Sequence, residues 1–187
     1  MHAPATRMTA DEYFEVTVEG DHTELIDGVM VVDEPRPLHQ LVCGRLYLAL
    51  AKWANEPPGD GLPILPIDVQ LTDHDVYGPD VLWFSEVRVR AHPDVDDLRL
   101  KIPDLAVEVR SPSTWQYDVG RKLSVYEASG LTELWLVDTK AETVLVYGRS
   151  APHVDHFDVA LEVTETLSSP QLAGFSLEVQ ELFRPLR

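Results

Sequence analysis

Cysteine, basic residues and long apolar runs are all scarce in this chain, and each scarcity narrows its function. A single cysteine, Cys43, among 187 residues excludes an intrachain disulfide and a zinc site built from several thiolates. It fits a reducing compartment, so a cytoplasmic location is expected. No stretch approaches the ~20 apolar residues of a membrane span, and Met1 to Met8 carry no apolar run of a secretory signal. Lys and Arg number 15 against 32 Asp and Glu, for a formal charge of −17. That balance disfavours a protein that coats nucleic acid by net charge; it suits a site that collects cations. A phosphate-cradling glycine loop is missing. Ser111 and Ser113 lie outside any Gly-x-Ser-x-Gly setting, which disfavours a serine hydrolase.

What is present is an ordinary globular composition, 44% apolar and 25% charged, long enough for one domain with a full core. Residues before Met8 read as a loose leader. Thr9 to Glu12 has the form of a capping box and predicts a short helix to about Val16. Asp27-Gly28 between apolar runs predicts a hairpin. Pro37 to Asn55 predicts a helix with a stripe of Leu38, Leu41, Val42, Leu46, Ala49 and Trp53, and with His39 at its border. A strand is expected over Leu62 to Leu71, a turn over Thr72 to Gly78, and a strand over Pro79 to Phe84. Ser85 to Lys101 reads as charged and irregular. Glu133 to Asp138 and Thr143 to Gly148 predict a hairpin, and His153 to Leu167 a further hairpin or edge strand pair. Residues 149 to 187 are expected to be peripheral strands and a terminal segment, with Val179 to Phe183 helical. The pattern predicts an α/β (mixed α+β) fold with a central mixed sheet flanked by helices.

The most informative stretch runs from Ile102 to Lys122. Leu105, Val107 and Val109 fall on one face of a strand, and Ala106, Glu108 and Arg110 on the other. Pro112 ends the strand. A helix follows, with Val119, Leu123 and Tyr126 at apolar spacing and Lys122 at the edge of that face. Burying a lone carboxylate costs several kcal/mol unless it is paired or binds a metal, so Glu108 needs a partner. Basic residues outnumber acids between Leu98 and Leu123, which would let a polyanion be handled locally.

Four charged positions are candidates to converge: Glu24, Asp80, Glu108 and Lys122. If the strands carrying Asp80 and Glu108 are neighbours, the two carboxylates can share a hard divalent cation such as Mg²⁺. That suits phosphodiester hydrolysis. The residues alone leave alternatives open. Glu108 can form a structural ion pair with Arg110 or Lys122, Asp80 can be a turn residue, and Lys122 can pair with Asp118 one turn away. Glu24 can be an ordinary strand-edge acid and His39 a packed rim residue. His153 and His156 have a metal-pair spacing but read as solvated surface.

The segments Glu24-Leu-Ile-Asp-Gly, Pro37-Leu-His-Gln, Gly78-Pro-Asp-Val, Pro103-Asp-Leu-Ala-Val-Glu-Val-Arg-Ser-Pro-Ser-Thr, Asp118-Val-Gly-Arg-Lys-Leu, Tyr126-Glu-Ala-Ser-Gly and Glu133-Leu-Trp-Leu-Val-Asp occur in one order over roughly Met8 to Gly148. Together they resemble the Uma-type restriction endonuclease family, a branch of the PD-(D/E)xK nuclease superfamily. The resemblance implies a single restriction-endonuclease-like domain over residues 1–187. It implies an endonuclease dependent on Mg²⁺ or Mn²⁺, with Asp80 and Glu108 as metal ligands and Glu24 as an auxiliary acid. Arg110 holds the place usually taken by the superfamily's lysine; Lys122 looks like that lysine moved onto the helix. His39 and Arg110 are possible auxiliaries. DNA is the implied substrate, with branched DNA or RNA as variants, and a homodimer is expected because cutting a duplex needs two sites. The rival expectation is an inactive nuclease fold that serves for binding or self-association.

Overall fold

The structure is a computed structural model that describes residues 7–18, 20–92, 94–112, 114–148 and 157–184. Its centre is a six-stranded mixed sheet in the order β10-β9-β8-β7-β6-β3. These strands are β3 (Leu62–Ile64), β6 (Val81–Phe84), β7 (Leu105–Val109), β8 (Glu133–Asp138), β9 (Thr143–Gly148) and β10 (Val159–Leu161). β7 and β8 run parallel, and their neighbours pair antiparallel. A parallel pair needs a crossover. Here it is helical: α4 (Trp115–Tyr117), a π-helical turn over Asp118–Lys122, and α5 (Leu123–Ala128), closed by Gly130 at φ 82°.

A second sheet of four strands, β2-β1-β5-β4, lies alongside. It comprises β1 (Thr23–Ile26), β2 (Val29–Val32), β4 (Val69–Thr72) and β5 (Asp75–Tyr77). The Asp27-Gly28 turn forms as expected, with both residues at positive φ. A side chain at Gly28 would collide with Arg7, since a Cβ there would sit 2.6 Å from the Arg7 Cβ. α1 (Ala10–Val16) opens on the Thr9–Glu12 capping box, both halves of which are made.

The period-two alternation of β7 sorts the core. Leu105, Val107 and Val109 face α2 (Pro37–Ala54), with Val42, Leu46 and Leu50, and they also face the C-terminal residues Leu172, Phe175 and Leu182. Ala106 faces the other way, toward Tyr77, Tyr126, Leu134 and Leu136. Both faces of the sheet are therefore covered, which matches its nearly unbroken apolar strands. The C-terminal segment, expected to be peripheral, completes the first face.

Several expectations are corrected. Leu62 to Leu71 is not one strand: β3 and β4 belong to different sheets, and Pro66, which has no N–H to donate, lies between them. The expected turn over Thr72 to Gly78 contains β5, and only Asp73-His74 turns the chain. Ser85 to Lys101 is ordered by α3 (Glu86–Ala91) and a 3₁₀ turn over Val95–Leu98. It is pinned where the Arg88 guanidinium and the Ser85 N–H both donate to Asp104. Strand β10 pairs with β9 as the edge strand of the large sheet, while β11 (Thr166–Leu167) pairs with β12 (Leu177–Glu178), so the described strands between His153 and Leu167 do not form a hairpin with each other. His153, His156 and Ser113 lie outside the described residues. On α2, Leu38 is exposed, whereas His39, Cys43 and Leu50 are buried. The turn α6 (Gln180–Phe183) forms as expected.

Candidate functional site

The π-helical turn changes which side chains reach the interior. It adds a residue to one helical turn and so shifts the phase of everything after it. Val119, expected on the apolar face, is 42% exposed, whereas Asp118 and Lys122 are each only 1% exposed. Lys122 thus moves from the edge of the stripe to its buried centre. Asp118 and Tyr126, spaced four residues to either side, stack on the same face. Asp118 is held from the strand end by a chain of hydroxyls: Thr114 Oγ1 donates to Asp118 Oδ2 at 3.3 Å and lies 2.8 Å from Ser111 Oγ.

Three carboxylates surround the Lys122 ammonium. Glu108 Oε1 lies at 2.8 Å, Glu24 Oε1 at 2.9 Å and Asp118 Oδ1 at 3.1 Å. Glu24 comes from β1 and is steadied by the Gly78 N–H, which donates to its Oε1 at 2.9 Å. Glu108 comes from the inner face of β7 and receives the Tyr126 hydroxyl at 2.7 Å. The Lys122 Nζ also lies 5.3 Å from the centre of the Tyr77 ring, a cation–π distance.

One buried cation does not balance this many acids. Burial pushes the Glu108 carboxyl well above its usual range; Lys122 opposes the shift, while Asp118, Glu24 and Asp80 add to it. Glu24 is raised for the same leading reason, burial, with Asp118 adding. Burial would lower the Lys122 ammonium, but the surrounding carboxylates outweigh it and hold the group well above normal.

Asp80 sits one residue before β6. Its N–H donates to the Val107 carbonyl at 2.9 Å, and its Oδ2 accepts the Val109 N–H at 2.7 Å. Those two bonds fix Asp80 against β7 on either side of Glu108. From α2, the His39 Nε2 lies 3.1 Å from Asp80 Oδ1. Burial would lower the His39 pKa, but the Asp80 carboxylate outweighs it and holds the imidazole above its usual value.

Glu24, His39, Asp80, Glu108 and Lys122 all line one cleft of about 320 Å³. Arg110 is not brought there. The strand ends at Val109, and the Arg110 guanidinium turns to Asp138 at 2.8 Å, with Trp115 stacked beside it. The positive excess expected over Leu98 to Leu123 is also largely neutralised. Arg121 pairs with Asp27 and Asp75, and Lys122 with its three acids; Arg99 lines the cleft. Among the described residues, seven carboxylates line that cleft against two fixed cations, Arg99 and Lys122. Asp118 and Tyr126, which contact Lys122 and Glu108, are not marked as site residues by the sequence, nor is Cys43 beside His39. The four-residue spacings Asp118–Lys122–Tyr126 and His39–Cys43 were visible, but only the π turn and the approach of α2 give them meaning.

The donor set suits a hard divalent ion. Glu24, Asp80 and Glu108 offer the oxygen ligands that such an ion takes; burial is the first cause of the raised Glu108 and Glu24 carboxyls, and the neighbouring acids add to it. Among the described residues, no helix is long and apolar enough to cross a membrane.

A crystal structure titled as a putative nuclease belonging to DUF820, from Anabaena variabilis, matches with a TM-score of 0.75 and 20% identity. The match covers 94% of this chain and 97% of that one; at such identity it shows the shared fold. No curated protein matches. The sequence signature of Uma2, described as "Putative restriction endonuclease", matches residues 10–180. The chain, matched over nearly its whole length, belongs to the Uma2 family.

Proposed function

We infer that this protein is a metal-dependent endonuclease that hydrolyses phosphodiester bonds in DNA, with Asp80 and Glu108 as ligands of Mg²⁺ or Mn²⁺. The observation that carries this reading is the buried Glu108, on β7, in one cleft with Asp80 and more negative charge around it than Lys122 neutralises. The family and the shared fold support it. When bound, the ion would act as a Lewis acid toward the phosphate and lower the pKa of a water. The chain's own groups do the rest. Tyr126 fixes the Glu108 rotamer, and the Val109 N–H and His39 fix Asp80. Lys122 supplies the positive charge that stabilises the additional negative charge of a phosphate under attack; Glu24 holds Lys122 in place. Arg110, engaged with Asp138, has no part in this scheme.

The test is cleavage of duplex, branched and single-stranded DNA and of RNA in Mg²⁺ or Mn²⁺, by the wild type and by Asp80→Asn and Glu108→Gln. Both isosteres keep a side-chain oxygen for their hydrogen bonds. Activity should fall at least about a thousandfold in each, as expected for several kcal/mol of lost charge stabilisation. Undiminished cleavage by both variants would sink the reading. A second reading, a self-association module without turnover, is favoured by one observation. β2 is a sheet edge carrying exposed Val29, Met30 and Val32, a surface able to add a strand from another chain. A monomer by sedimentation would remove it, whereas a dimer would fit both readings.

A further inference from the structure

Cys43 is the one thiol in the chain, and it lies beside the proposed centre. Along α2 it follows His39 by one turn, so both side chains leave the same face. The Cys43 Sγ is 3.6 Å from His39 Nδ1, and the other ring nitrogen, Nε2, lies 3.1 Å from Asp80 Oδ1. One ligand atom from each of His39, Cys43 and Asp80 falls within 4.8 Å of the other two. Among the described residues this is the only trio of His, Cys and acid so arranged. Around a tetrahedral zinc, with bonds of roughly 2.0 Å to nitrogen and 2.3 Å to sulfur, neighbouring ligand atoms stand about 3.5 Å apart. The trio, within 4.8 Å, is wider than that spacing, and the imidazole, which divides its two nitrogens between Cys43 and Asp80, must turn one nitrogen toward both as the ligands close on an ion.

We propose that His39, Cys43 and Asp80 form a site for a borderline-soft divalent metal of the zinc type, which takes Asp80 away from the hard-metal centre and thereby switches it off. The nitrogen, sulfur and oxygen donor set discriminates against Mg²⁺, which avoids thiolate, and favours Zn²⁺ or Co²⁺. His39 and Asp80 line the cleft, so an ion that enters it meets them there, with Cys43 one turn further along α2. Binding forms a metal–sulfur bond as the Cys43 thiol releases its proton to solvent; nothing is oxidised or reduced. The fourth position faces the cleft and takes water. The switching half of the proposal rests on the nuclease reading, but the binding half does not.

Cobalt is the direct probe, titrated into the full chain under reducing conditions and followed by absorption. A thiolate-to-cobalt charge-transfer band, with the intense visible bands of a tetrahedral ion, should saturate at one equivalent and bleach on addition of Zn²⁺. Because the chain has one cysteine, the band itself assigns the sulfur even where a variant fails to fold. Cys43→Ala should abolish it, and His39→Gln should weaken cobalt binding by roughly tenfold or more. Saturating cobalt without the band, or a band undiminished in His39→Gln, overturns the site. In cleavage assays with Mg²⁺, Zn²⁺ should inhibit the wild type, and Cys43→Ala should need at least about ten times more zinc for the same inhibition. Equal zinc sensitivity overturns the shared use of Asp80. A chain that shows the band but cuts no nucleic acid keeps the metal site and loses the nuclease reading.

Discussion

The Lys122 ammonium lies 2.8 Å from the Glu108 carboxylate, with both side chains buried, yet it does not neutralise the site because Glu24 and Asp118 claim the same cation. This sharing makes the centre costly to fold and apt for a dication.

Replacing Lys122 tests the cost directly. Lys122→Met leaves three buried carboxylates without their cation and should lose about 3–5 kcal/mol at neutral pH in urea unfolding. The deficit should shrink in acid, where Glu24 and Glu108 take up protons. A deficit constant across that range would contradict the shared pairing.

Glu108 should weaken the metal-free fold. Its folded-state pKa is raised well above 4.5, so it binds its proton more tightly folded than unfolded. Its favourable contribution is complete below 4.5 and is withdrawn as pH rises through the folded value. In chelator at neutral pH, Glu108→Gln should therefore be about 1–2 kcal/mol more stable than the wild type even though it cannot cut. Added Mn²⁺ should stabilise the wild type and leave the variant unmoved in thermal melts.

Asp104 has the opposite sign. Burial alone would raise its carboxyl, but the Arg88 guanidinium and the Ser85 N–H outweigh burial and hold it below 3.8. Its stabilisation is full above that value and is lost as pH falls through the lower folded value. Asp104→Ala should cost about 1–2 kcal/mol at neutral pH and flatten the acid side of the stability profile, as read by urea midpoints between neutrality and strong acid.

Glu133 ties the C-terminal segment to the sheet. It is buried and accepts bonds from Trp135 Nε1 at 2.6 Å, Ser169 Oγ at 2.7 Å and Gln171 Nε2 at 3.2 Å. Glu133→Ala strands those donors and should cost about 2–4 kcal/mol. The loss should be accompanied by a change in Trp135 fluorescence, because the Phe175 ring stacks on that indole at 5.8 Å. Unchanged emission would mean that the segment docks without this anchor.

Elements whose physics is local can be read from the chain alone. The Thr9–Glu12 box, the Asp27-Gly28 turn, the α2 helix and the alternation of β7 were all legible, because capping, positive φ and side-chain period depend on near neighbours. The apolar pattern around Glu108 also marks that carboxylate as needing a partner, whereas Glu24, Asp80 and Lys122 gain their weight from the family resemblance. Which of these side chains meet depends on the folded arrangement. The split of Leu62 to Leu71 between two sheets, the π turn that buries Lys122 and exposes Val119, and the departure of Arg110 to Asp138 all depend on distant partners. A periodicity can assign a side chain to a face, but whether that face meets a cation, a strand or water is settled by pairing across the fold, which no local pattern encodes.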